Sequence, residues 1–173
     1  MYRFAAAILV ACLSAAAVEA QGSAATAIQR YRAAIAALLQ IKPGMVAAEV
    51  AATSGVLAPD LSVLVGGTGR VVEGTLDRQS GALGLEPASA DAVALLGIFA
   101  LTDRNKDVVD RAAAALRSGG ALLVVDVPQE NDGRKTVGIE ADDVVKLATA
   151  AGLKREAESG IVPGHYSIRF RKP

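Results

Sequence analysis

Two nearly continuous apolar runs limit what this chain can fold into. Ser89–Ala100 reads SADAVALLGIFA and Ala121–Val127 reads ALLVVDV. Neither shows the period-two alternation of a strand with one wet face. A strand this apolar throughout is covered on both sides, and such strands belong to parallel sheets sandwiched between helices. The segments around them agree. Asp103–Arg117 carries Val108, Val109, Ala112, Ala113 and Leu116 at helical spacing, and Ser118-Gly119-Gly120 gives a helix stop before the second run.

The rest of the chain keeps the same alternation. Ser23–Gln40 repeats Ile28, Tyr31, Ile35, Leu38 and Leu39 as one apolar helix face; Ser23 can cap its start, and Lys42-Pro43-Gly44 ends it. Met45–Ala52 reads as the first strand. Val56–Val65 reads as a helix with Pro59 in its first turn, and Arg70–Leu76 as the second strand. Glu140–Ala151 is a further helix, followed by two late strands, Lys154–Ile161 and Tyr166–Lys172. Gln129–Thr136 is polar and reads as a mobile loop. The class is α/β, an open sheet with helices on both faces. Ligands of such sheets sit beyond the carboxyl ends of the strands, where the strand order reverses.

The first twenty residues are of another kind. Arg3 precedes the Ala-rich run AAAILVACLSAAAV, and Val18 and Ala20 are small at the positions a signal peptidase reads. Met1–Ala20 is expected to be a secretory signal cut before Gln21, giving a periplasmic or secreted domain over residues 21–173. The alternative reading of LVAC makes Cys12 a lipidated residue. The run is too short to span a bilayer, which takes about 20 apolar residues. Cys12 is the sole cysteine, so the mature chain has neither disulfide nor thiolate metal site. With 18 basic and 18 acidic residues there is no basic excess for nucleic acid, and with no Trp and three each of Tyr and Phe there is no stacking platform for bases.

The ordered pieces together resemble class I S-adenosylmethionine-dependent methyltransferases. LLQIKPGMVAAEV is similar to their lead-in and first strand. AEVAATSG stands in the place of their glycine loop, GTGRVVEGTLD resembles their second strand, and PASADAVALLGIFALTD their fourth strand and its turn. ALRSGGALLVVDVP is similar to their helix, Gly-Gly turn and fifth strand, and AAGLKREAESGIVPGHYSIRFRKP to their closing antiparallel pair. The resemblance runs from about Leu38 to the end. It implies a three-layer Rossmann-like open sheet, mostly parallel with an antiparallel last strand, and S-adenosylmethionine as the cofactor.

That family inserts a helix, a third strand and another helix between its second and fourth strands. Here the connection is the twelve residues Asp77–Ala88, room for one short crossover helix at most. The third strand is therefore expected to be missing, leaving strand two as an exposed edge through which a second copy could pair. By the resemblance, the cofactor residues are Glu49, Ala51, Thr53 and Gly55 in the loop, with Thr75 and Asp77 at the end of strand two. Ala51 and Thr53 replace glycines, and a branched Thr53 is hard to place at positive φ. Thr75 falls where the family has the acid that binds the ribose. Asp77 or Glu73 could substitute if the strand end shifts; otherwise both are surface carboxylates.

Other candidates are weaker. His165, the only histidine, could pair with Ser167 as base and nucleophile, but reads more naturally as a half-buried turn residue. Asp126 and Asp91 could face the cleft, Asp91 more naturally capping or pairing locally. Glu140, Asp142 and Asp143 suit a helix start rather than a metal cluster. Phe99-Ala100-Leu101 occupies a place where related sequences carry active-site groups. The expectation is a methyltransferase acting on an unidentified small acceptor near Asp126, or a non-catalytic relative that kept the fold. A dinucleotide-binding domain is disfavoured because Gly-x-Gly-x-x-Gly is absent at the first turn.

Overall fold

In a computed structural model, residues 26–128 and 138–173 are described. The signal segment Met1–Ala20, the Cys12 box, the Ser23 cap and the polar stretch Gln129–Thr136 lie outside them. Six strands and four helices follow in order among the described residues: α1 (residues 26–38), β1 (Val46–Ala51), α2 (Ala58–Val65), β2 (Arg70–Glu73), β3 (Ala90–Leu96), α3 (Asn105–Ala115), β4 (Leu116–Asp126), α4 (Ala141–Ala150), β5 (Lys154–Ser159) and β6 (Tyr166–Arg171).

The strands form one sheet in the order β2-β1-β3-β4-β6-β5. β1 runs parallel to β2 and β3, and β3 to β4; β6 is antiparallel to both neighbours. The two apolar runs occupy the middle as β3 and β4, and their alternate residues feed two cores. Val93, Leu95, Leu122 and Val124 pack with α3 and α4. Ala92, Leu96, Leu123 and Val125 pack with α1 and α2. That double burial explains why neither strand carries a polar phase.

Between β2 and β3 lies no strand, so β2 is the sheet edge, with Val71 and Val72 half-buried. The connection also lacks a helix. Asp77 caps a turn by accepting hydrogen bonds from the Gln79 and Ser80 N–H groups, and Leu83, 2% exposed, plugs the α3 side of the sheet. A loop thus does the covering that a crossover helix would do.

The helix stop at Ser118-Gly119-Gly120 takes a different form. α3 ends at Ala115, and these residues form the irregular start of β4, where its register against β3 shifts between Ala90 and Ala92. The far end of the chain draws them in: the Gly119 N–H donates to Lys172 O at 2.9 Å, and the Lys172 N–H donates to Gly120 O at 2.9 Å.

Candidate functional site

The strand order reverses between β1 and β3, so the crevice lies beyond their carboxyl ends, where an α/β sheet places its ligands. Two buried carboxylates shape its rim. Glu49 is 1% exposed, and its two oxygens accept the Val56 and Leu57 N–H groups at 2.8 and 2.9 Å. These amides open α2, whose N-cap position, Leu57, has no capping side chain of its own. Glu49 thus does from the sheet what a serine or aspartate would do locally. Burial pushes its carboxyl above the ordinary range, against the pull of these amides.

Asp126, also 1% exposed, plays the matching part at the end of β4. Its carboxylate accepts the Phe99 N–H at 3.1 Å and the Val127 N–H at 2.8 Å, fixing the turn after β3. Burial raises its pKa from 3.8 to about 6. The ionised group therefore costs the folded state about 3 kcal/mol above that pH, a cost relieved as pH falls from about 6 toward about 4. We expect Asp126→Asn to flatten the pH dependence of the unfolding midpoint across this window relative to the natural chain. Parallel melting curves at the two ends of the window check this; equal slopes would place the titration elsewhere.

Between the two clamps, Ala52, Thr53 and Ser54 are exposed, and Gly55 turns the chain at φ 73°. The only non-glycine residues at positive φ among those described are Gln40 and Ala88. Thr53 therefore sits in ordinary backbone space, and the strain expected of a branched residue there is absent. An open hollow of about 450 Å³ beside the loop is lined by Thr26, Gln29, Arg30, Thr53 and Val56, so α1 supplies one wall.

The end of β2 is Glu73, paired in register with Glu49. Its side chain is exposed, and a methyl group built on Gly55 would lie 3.7 Å from Glu73 Oε2. The strand therefore ends two residues before Thr75. The Thr75 N–H donates to Leu83 O at 3.0 Å, within the crossover loop, and Asp77 lies in the capped turn beyond. Glu49, Ala51, Thr53, Gly55 and Glu73 come together on one rim; Thr75 and Asp77 continue from it into the crossover. The sequence put the end of this strand at Thr75, two residues beyond Glu73, and did not bring Gln29 or Arg30 to the hollow. Gly74 directly after it is the glycine that the close approach of the crossover loop requires, with Leu83 O 2.6 Å from where a methyl group would lie.

The remaining candidates separate clearly. Asp91 accepts the Val46 N–H at 2.7 Å and pairs with Arg117 at 2.9 Å, at the opposite end of the sheet. Asp142 and Asp143 lie in the first turn of α4, Asp143 pairing with Lys146. No three His, Cys, Asp or Glu side chains converge to hold a metal among the described residues. Phe99 is buried in the core. His165 is half-buried in the turn before β6, its Nδ1 3.0 Å from Pro163 O. A carbonyl only accepts, so Nδ1 carries a proton toward it. His165 Nε2, the Tyr166 hydroxyl and Ser167 Oγ are buried without a partner among the described residues.

Solved structures share this architecture. An S-adenosylmethionine-dependent methyltransferase from Aquifex aeolicus superposes with a TM-score of 0.62 at 13% identity, covering 75% of this chain and 83% of that one. The 1,6-didemethyltoxoflavin-N1-methyltransferase of Burkholderia thailandensis, solved with its substrate and S-adenosylhomocysteine, gives 0.60 at 16% identity, over 96% and 88%. The [4+2]-cyclase SpnF gives 0.60 at 13% identity, over 84% and 80%. No protein-family model matches the chain, and no curated protein matches its sequence.

Proposed function

The chain has the fold of class I S-adenosylmethionine-dependent methyltransferases, and from that premise we propose that it is exported and binds S-adenosylmethionine for methyl transfer to a small acceptor. The observation that carries this is the Glu73 carboxylate beside Gly55: an exposed acid ends β2 next to the one glycine retained in the loop. The residues present fit the group. Glu73 offers two acceptor oxygens to a ribose diol, Gly55 leaves its approach clear, and Gln29, Arg30 and Thr53 supply polar contacts for the amino-acid end. The cofactor supplies an electrophilic methyl group. The chain supplies positioning for an acceptor near Asp126.

A second reading has its own support. The fold also carries a [4+2]-cyclase, so the fold alone does not establish methyl transfer. In that reading the chain keeps the cofactor site, or the fold alone, as a binding module.

Calorimetric titration of the full chain with S-adenosylmethionine tests the proposal. Saturable binding is expected, and Glu73→Ala should weaken it by about ten-fold or more, the worth of one hydrogen bond to a charged group. Thr75→Ala should change it little. No binding, or a larger loss at Thr75 than at Glu73, would refute the assignment.

A further inference from the structure

The turn after β3 is held in place from the neighbouring strand. It begins at Gly97, at φ 61°, and closes where the Leu101 N–H donates to Ile98 O at 3.0 Å. It abuts the crevice: a methyl group built on Gly97 would lie 3.6 Å from Ile28 Cδ1 on α1 and 3.9 Å from Ala52 Cβ in the loop after β1. The Phe99 ring is anchored in the core, whereas Ala100 and Leu101 are half-exposed. A side chain at the end of β4 ties this turn to the sheet, Asp126 accepting the Phe99 N–H through Oδ2 at 3.1 Å.

Both oxygens of that carboxylate are in use. Oδ1 accepts the Val127 N–H at 2.8 Å, a contact between chain neighbours, while Oδ2 reaches a residue 27 positions away. Protonation turns one acceptor oxygen into a donor. The contact between neighbours survives that change, so the one across the sheet is the one given up. The new hydrogen has an acceptor at hand. Asp126 and Tyr166 are opposed in register on adjacent strands and share a face of the sheet, and the Tyr166 hydroxyl is buried without a partner among the described residues. The groups that titrate around Asp126 are His165 in the turn before β6, Tyr166 itself, and Glu140 at the start of α4, which acts on Tyr166. Burial holds the phenol above its ordinary range, so it stays neutral. Burial also puts Asp126 at about 6, against the pull of its amides and of His165.

We infer that the turn after β3 is an acid-released latch on the crevice: ionised Asp126 locks it through the Phe99 N–H, and protonated Asp126 donates to Tyr166 and lets the turn loosen. The Phe99 ring stays in the core, so release frees Gly97 and Ala100–Leu101 rather than swinging the whole turn. The latch rests on the geometry of the chain alone and stands whether or not the crevice takes S-adenosylmethionine. It carries a distinctive sign. A carboxyl raised by burial makes the fold as a whole more stable as pH falls through about 6, whereas the Phe99 amide becomes less protected over the same window. General loosening in acid would lower both.

The test is residue-resolved amide exchange of the ¹⁵N-labelled full chain at pH about 7.5 and about 5, corrected for the intrinsic pH dependence of exchange. The Phe99 amide is expected to lose protection about ten-fold at the lower pH, the worth of one hydrogen bond to a charged group, while Leu122–Val125 lose none. Asp126→Asn does not titrate and should abolish the step. Histidine is the other side chain that changes charge near this pH, so His165→Gln is the control and should keep the step. Unchanged protection of Phe99 between the two pH values would overturn the inference. So would a step that persists in Asp126→Asn or disappears in His165→Gln. If Asp126→Asn does not fold, the natural chain and His165→Gln decide the matter by themselves.

Discussion

Glu49→Ala is expected to destabilise the chain by about 2–5 kcal/mol and to loosen the loop after β1. The substitution leaves the Val56 and Leu57 N–H groups buried with no acceptor, each at about 1–3 kcal/mol. Part of that loss is offset, because the carboxylate's own burial is unfavourable and pushes its pKa up. The amides win because α2 has no other cap: Leu57 offers no side-chain oxygen, and Pro59 follows in the first turn. Glu49→Gln should fall between, keeping one acceptor oxygen and turning an NH₂ toward the other amide. Urea unfolding of the three proteins checks the order. An alanine variant within about 0.5 kcal/mol of the natural chain, the usual range of a surface change, would mean that Glu49 does not hold α2.

Gly74→Ala is the second large effect, expected at about 3 kcal/mol or more, the upper range for overpacking. A methyl group there would lie 2.6 Å from Leu83 O and 2.8 Å from Val50 Cγ2. Leu83 O is the acceptor for the Thr75 N–H, so neither neighbour can retreat without parting the crossover loop from the sheet. Gly84→Ala makes the control. It has open space, its closest contact being 3.6 Å, but sits at φ 63°, so only the torsional cost of about 1 kcal/mol applies. Denaturant midpoints of the two variants separate close approach from backbone strain. Equal losses would contradict the packing of the loop against β1 and β2.

Much of this fold was legible in the sequence, for a physical reason. A strand buried on both faces carries few polar residues, and those near its ends, so Ala92–Leu96 and Leu122–Val125 declared the middle of the sheet. Chain length declared the missing strand, because twelve residues cannot hold a strand between two helices. The end of β2 was less legible. It depends on how far β1 reaches, and pairing stops at Glu49 opposite Glu73, which no propensity in RVVEGTLD encodes. The burial of Asp126 rests on an amide 27 residues away across the sheet. The torsion of Thr53 was misjudged for a similar reason: residue type biases φ but does not set it, and this loop takes its one left-handed turn at Gly55. The chain's own closing strand drew Ser118–Gly120 into β4, a contact separated by about fifty residues of sequence.

The proposed cofactor site places an adenosyl group over the loop after β1 and against the end of β2. The most direct measurement is amide hydrogen exchange of the full chain with and without saturating S-adenosylhomocysteine. Slower exchange is expected over Ala51–Val56 and over Glu73–Thr75, while Leu122–Val125, already buried mid-sheet, stays as it was. Unchanged exchange in both loops, or protection that falls only elsewhere, would contradict it.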